Sequence, residues 1–151
     1  MLALLQRVTY ASVVVNNKTI SKIAKGLLVF LAIEANDTEK TARRLSKRVL
    51  SYRIFTDANN KINLSVNDIA GSILIVPQFT LIADTAKGMR PSFTNTANLP
   101  VTKKLFAYFV AQTKLQYSKT YAGIFGAEMQ INLCNDGPAT FILKTRPSST
   151  L

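Results

Sequence analysis

Gly26-Leu27-Leu28-Val29-Phe30-Leu31-Ala32-Ile33 is a short apolar run without a polar break. That pattern suits a strand buried on both faces rather than one with a solvated side. Upstream, Leu2 to Val8 and Ser12 to Val15 are rich in strand formers, and Asn16-Asn17-Lys18 is a turn signal ahead of Thr19 to Ile23. Downstream, Asp37 or Thr38 is placed to cap a helix running to about Arg53. Ala42, Leu45, Val49 and Tyr52 fall at helical spacing and form its inner face. Lys40, Arg43, Arg44, Lys47 and Arg48 occupy the other side, either to grip phosphates or as an ordinary solvated face.

Ser72 to Val76 is a second apolar strand that continues through Gln78-Phe79-Thr80-Leu81 after an interruption at Pro77. Proline cannot donate to a ladder, so it belongs at an edge or a bulge, and a bulge often re-aims groups at a site. Residues 83–98 read as a long loop centred on Lys87-Gly88-Met89-Arg90-Pro91. Pro100 and Thr102 then open a helix to about Tyr117, with Leu105, Tyr108, Phe109 and Leu115 as its apolar stripe. Glu128 to Cys134 alternates like a half-buried strand, with Cys134 a small core residue. Asn135-Asp136-Gly137-Pro138 is a strong turn signal before a last strand, Ala139 to Lys144. The expectation is a mixed α/β, strand-rich fold, with a barrel-like or layered sheet flanked by two main helices. No dinucleotide fingerprint or phosphate-binding loop is present.

Composition narrows the chemistry. The 151 residues include 19 Lys+Arg and 8 Asp+Glu, for a net charge of +11, with one cysteine and no histidine. Without histidine there is no Ser-His-Asp or Cys-His nucleophile and no imidazole acid or base. No Cys/His cluster exists to hold zinc, and Cys134 has no internal disulfide partner, so a cytoplasmic setting is expected. No apolar run is longer than Leu27 to Ile33, far short of the ~20 residues of a membrane span. The positive charge suits a polyanion such as nucleic acid, or simply a soluble basic surface.

Five segments carry more than composition: Gln6-Arg7-Val8, Val76 to Leu81, Lys87 to Phe93, Gly123 to Met129, and Asn135 to Thr140. Together, in this order and over nearly the whole chain, they resemble the D-aminoacyl-tRNA deacylase family. The resemblance implies one deacylase-like domain over residues 1–145 and a homodimer; residues 146–151, with Pro147 and hydroxyl side chains, read as a flexible tail, and no metal or cofactor is expected. It implies hydrolysis of the ester joining a D-amino acid to tRNA, and of glycine mischarged on tRNA-Ala. Gln78, Phe79 and Thr80 match the catalytic strand. Gly137 and Pro138 match a cis dipeptide that one subunit inserts into the other's site as a chiral filter. Arg7 matches the arginine that holds this loop. Phe125 and Met129 are candidates to line the pocket for the terminal adenine, or are core.

The residues are compatible with these roles. An aminoacyl ester is already activated, so backbone N–H groups at 78–80 suffice as oxyanion donors. Either the Thr80 hydroxyl or the substrate's own ribose 2′-hydroxyl assists attack, and the lack of imidazole favours the ribose. A rigid wall rejects an L-side chain by clash, whereas glycine has nothing to reject. Pro77 departs from the family, where serine is usual; a related branch of looser chiral selectivity carries proline there. The alternatives are therefore a relaxed deacylase of L-aminoacyl-tRNA and a non-catalytic basic RNA-binding module.

Overall fold

A computed structural model describes residues 1–146. The expected tail thus lies, apart from Arg146, outside the described residues. Eight strands and two helices follow in the order β1 (Leu2–Val15), β2 (Lys18–Ile23), β3 (Gly26–Ala32), α1 (Glu39–Ser51), β4 (Phe55–Thr56), β5 (Ile62–Leu64), β6 (Ser72–Pro77), α2 (Leu99–Gln116), β7 (Thr120–Ala122) and β8 (Gln130–Lys144). The main sheet runs β2-β1-β3-β6-β7, with β8 on β1; β4 and β5 form a separate hairpin. β3 and β6 are parallel, as are β6 and β7. The Ser21 hydroxyl of β2 donates to the Ala122 carbonyl of β7 at 2.6 Å, drawing the sheet into a nearly closed barrel.

β3 is buried on both faces, as its unbroken apolar run requires. Leu27, Val29 and Leu31 join the core under the helices, while Leu28 joins a second core with Val8, Val13, Leu74 and Val76. Thr38 caps α1 through a reciprocal box with Thr41. Ala42, Leu45 and Val49 are buried as their spacing predicts. A buried Ser46–Thr113 hydroxyl bond of 2.9 Å ties α1 to α2.

Five expectations are corrected. Leu2 to Val15 is one long strand, because β8 pairs with it almost end to end and supplies partners the local sequence does not reveal. After Pro77 the chain does not continue as a strand: Phe79–Ile82 is a short 3-10 helix. Asn135 to Pro138 does not reverse the chain; it is a bulge inside the continuous strand β8. Leu115 is 81% exposed, since the buried stripe of α2 is Leu105, Phe106, Phe109 and Thr113, on the other side of the helix. Cys134, expected in the core, is exposed on the outer face of β8.

Candidate active site

The ends of β3 and β6 open into a cavity of about 540 Å³. Gly123 donates to the Ile75 carbonyl as the last bond between β7 and β6, and the next position on that side is Pro77, which has no N–H. The Gln78 N–H makes one further bond, to the Leu31 carbonyl at 2.8 Å, and the chain then winds into its 3-10 turn. The proline thus ends the ladder and releases the backbone at the rim of the cavity.

Side chains from distant segments line this space. Phe79 stands at the mouth, 56% exposed, with its ring 5.1 Å from that of Phe93. Phe106 of α2 and Phe125 form a second aromatic pair, with centroids 6.0 Å apart. Met129 closes the side against Gly123, where an added Cβ would sit 2.8 Å from its sulfur. Gln78 also lines the cavity, and its Nε2 donates to the Thr80 Oγ1 at 2.6 Å. That bond leaves the Thr80 hydroxyl proton free to donate outward. The Phe79 and Thr80 N–H groups, first in a short helical turn, have no acceptor among the described residues. Gln78 contributes no such donor, since its N–H is already engaged with Leu31; this corrects the expectation that all three are available.

Gly137, Pro138 and Arg7 lie elsewhere and line no part of this cavity. They meet at a bulge where β8 crosses β1: Gln6 is opposite Thr140 and Val8 opposite Asn135, so four residues of β8 face Arg7 alone. Arg7 Nε donates to the Asp136 carbonyl at 2.8 Å and lies 3.2 Å from its carboxylate. Arg7 Nη1 reaches the Ile54 carbonyl at 2.9 Å. The Gly137–Pro138 peptide bond is cis, and both residues are exposed. Sequence reasoning gave Asn135 no role beyond a turn former. Its Nδ2 in fact donates to the carbonyls of Arg7 and Ala139, at 3.0 and 3.2 Å.

The basic face of α1 is partly used within the chain. Arg43 donates to the Tyr108 hydroxyl, Arg44 to the Arg146 carbonyl and Arg48 to the Lys144 carbonyl. Next to the cavity wall at Ile33, Glu34 binds the Met1 ammonium at 2.7 Å and Lys144 at 2.9 Å. Burial alone would raise the Glu34 pKa, but these two cations hold it below its ordinary value. Among the described residues no group of three or more His, Cys, Asp or Glu is placed to hold a metal. No helix there is long and apolar enough to cross a membrane.

A family model described as D-Tyr-tRNA(Tyr) deacylase matches residues 4–144. A D-aminoacyl-tRNA deacylase from Nitrosococcus oceani is 52% identical over 98% of this chain and 96% of its own. One from a Janthinobacterium species is 53% identical over 97% of this chain and 99% of its own. A solved structure described as a c-Myc DNA unwinding element binding protein superposes with a TM-score of 0.92 at 35% identity, covering 97% of this chain and 100% of that one. A probable eukaryotic D-amino acid tRNA deacylase has the same fold, with a TM-score of 0.81 at 21% identity over 94% of this chain and 97% of that one. With a match over nearly its whole length, this chain belongs to the D-Tyr-tRNA(Tyr) deacylase family.

Proposed function

We propose that this protein hydrolyses the ester of D-aminoacyl-tRNA, releasing free tRNA and the D-amino acid, and works as a homodimer. The observation that carries the dimeric reading is the separation of the two groups of residues. Free donors and aromatic walls surround the cavity, whereas Gly137 and Pro138 stand exposed outside it. A second copy of the chain unites them by inserting its dipeptide into this cavity, each subunit completing the other's site.

In this arrangement the aminoacylated 3′ end of tRNA enters the cavity, with Phe125 and Met129 against the terminal base. The N–H groups of Phe79 and Thr80 receive the negative charge that develops on the ester carbonyl oxygen. Water adds to the carbonyl carbon, assisted by the ribose 2′-hydroxyl. The tetrahedral intermediate then expels the ribose oxygen, which takes up a proton. The partner's Gly137 and Pro138 occupy the direction an L-side chain would need. Glycine on tRNA-Ala presents no side chain to that wall and is accepted. Rejection by clash is stronger than any gain from one added attraction.

The test is hydrolysis of D-tyrosyl-tRNA against L-tyrosyl-tRNA by purified protein. Hydrolysis of the D-ester alone is expected. Equal rates on both would replace this reading with the relaxed deacylase, and hydrolysis of neither with the RNA-binding module.

A further inference from the structure

We propose that Asn135 is a positioning residue that sets how Gly137 and Pro138 are presented, and that its side chain is the reason residue 137 must be glycine. The inference rests on the deacylase reading above but concerns a residue to which that reading gives no part.

The bulge has a neck and a tip. At the neck, one amide group bridges both strands: Asn135 Nδ2 donates to the Arg7 carbonyl on β1 and to the Ala139 carbonyl beyond the tip. Both neighbours are acceptors, so only the NH₂ side of the amide fits there, and its orientation is fixed. The Oδ1 side is thereby turned toward the tip. An added Cβ at Gly137 would sit 2.8 Å from this Oδ1, while its next contact outside Asn135, the Ala139 nitrogen, is at an ordinary 3.7 Å. The end of a free side chain would swing away from such a Cβ. This one is pinned by two hydrogen bonds, so a residue larger than glycine must break them. Arg7 fixes the Asp136 carbonyl before the tip, and Asn135 fixes the carbonyl of Ala139 after it. Between these two anchors the exposed dipeptide is held as a wall rather than a floppy loop.

Aspartate has the shape of asparagine but cannot donate, so Asn135→Asp removes the bridge with little change in volume. In the same D- and L-tyrosyl-tRNA assay, its ratio of D to L kcat/KM is expected to fall by about tenfold or more, the scale of losing two hydrogen bonds. General destabilisation would lower both rates together and leave the ratio unchanged. An unchanged ratio in folded Asn135→Asp, beside a D-selective wild type, overturns the proposal and leaves the deacylase reading intact. A wild type that does not discriminate overturns the deacylase reading instead.

A thermal cycle of Asn135→Ala, Gly137→Ala and the double variant tests the second half of the proposal whichever way activity falls. Gly137→Ala is expected to lower the melting temperature by about 2–4 °C or more in the wild-type background, and by much less beside Asn135→Ala. Additive shifts would show that Asn135 is not what excludes a side chain at residue 137. If Asn135→Asp fails to fold, Asn135→Ala supplies the ratio, with the same two outcomes.

Discussion

The cavity and the β1–β8 bulge are built in opposite ways. The cavity is concave, apolar and lined by side chains from the strand ends, the 83–98 loop, α2 and residues 125–131. The bulge is convex, and its tip offers almost nothing but backbone, secured by Arg7 and Asn135. The cavity has free N–H donors at its rim. The bulge has an exposed dipeptide that lines no part of this cavity. Recognition of a base tolerates adaptable side chains, whereas discrimination between mirror images needs a surface that does not yield.

The largest effect is expected from loosening the bulge. Arg7→Ala removes three interactions of a side chain that is only 12% exposed. It should lower kcat/KM for D-tyrosyl-tRNA by about a hundredfold or more, given the size of hydrogen bonds to charged groups. Steady-state kinetics checks this, with melting curves to confirm folding. Wild-type rates would show that the bulge is held without the guanidinium.

Mixing then tests whether the two regions meet between subunits. Ala127→Trp, which fills the cavity, and Arg7→Ala should each be nearly inactive alone. After subunit exchange they should regain roughly a quarter of wild-type activity, since half of the dimers carry one intact site. No recovery, with exchange verified by mass, would break the cross-subunit arrangement.

Charge belongs to neither region alone. With a net charge of +11, tRNA affinity should fall about tenfold or more between low and moderate salt, measured by filter binding. A flat response would mean that the cavity alone supplies the grip. Thr80→Ala should cost less than about tenfold in rate, because the backbone donors remain. A loss of several orders of magnitude would make the hydroxyl the working group and weaken the case for the ribose.

The smallest effect concerns the charge cluster next to the cavity wall at Ile33. The Glu34 pKa lies below its ordinary 4.5. Its contribution to stability is therefore complete above about 4.5 and lost as pH falls through the lowered native value. Between about pH 6 and pH 3 the wild type should lose a few degrees more in melting temperature than Glu34→Gln. Equal losses would show that this cluster does not anchor the cavity end.

Much of this molecule is legible in one dimension. The doubly buried β3, the capped α1 and the Asn16-Asn17 turn follow from local pattern, because periodicity and capping are properties of neighbours in sequence. The absence of histidine limits the chemistry before any coordinate is known. The Asn135-Asp136-Gly137-Pro138 segment carries every local mark of a chain reversal, yet it bulges outward because β1 pairs with β8 on both sides of it. Pro77 announces an irregularity, but its result depends on where β7 ends beside it. Leu115 keeps helical spacing with Tyr108 yet stays exposed, because spacing alone does not reveal which side of α2 is covered. Sequence by itself determined the doubly buried β3, the two main helices and the residue types available for chemistry, since these depend on local sterics and composition. Only tertiary structure decided that the cavity and the dipeptide stand apart in one chain, because pairing between the first and last long strands is a contact across more than a hundred residues.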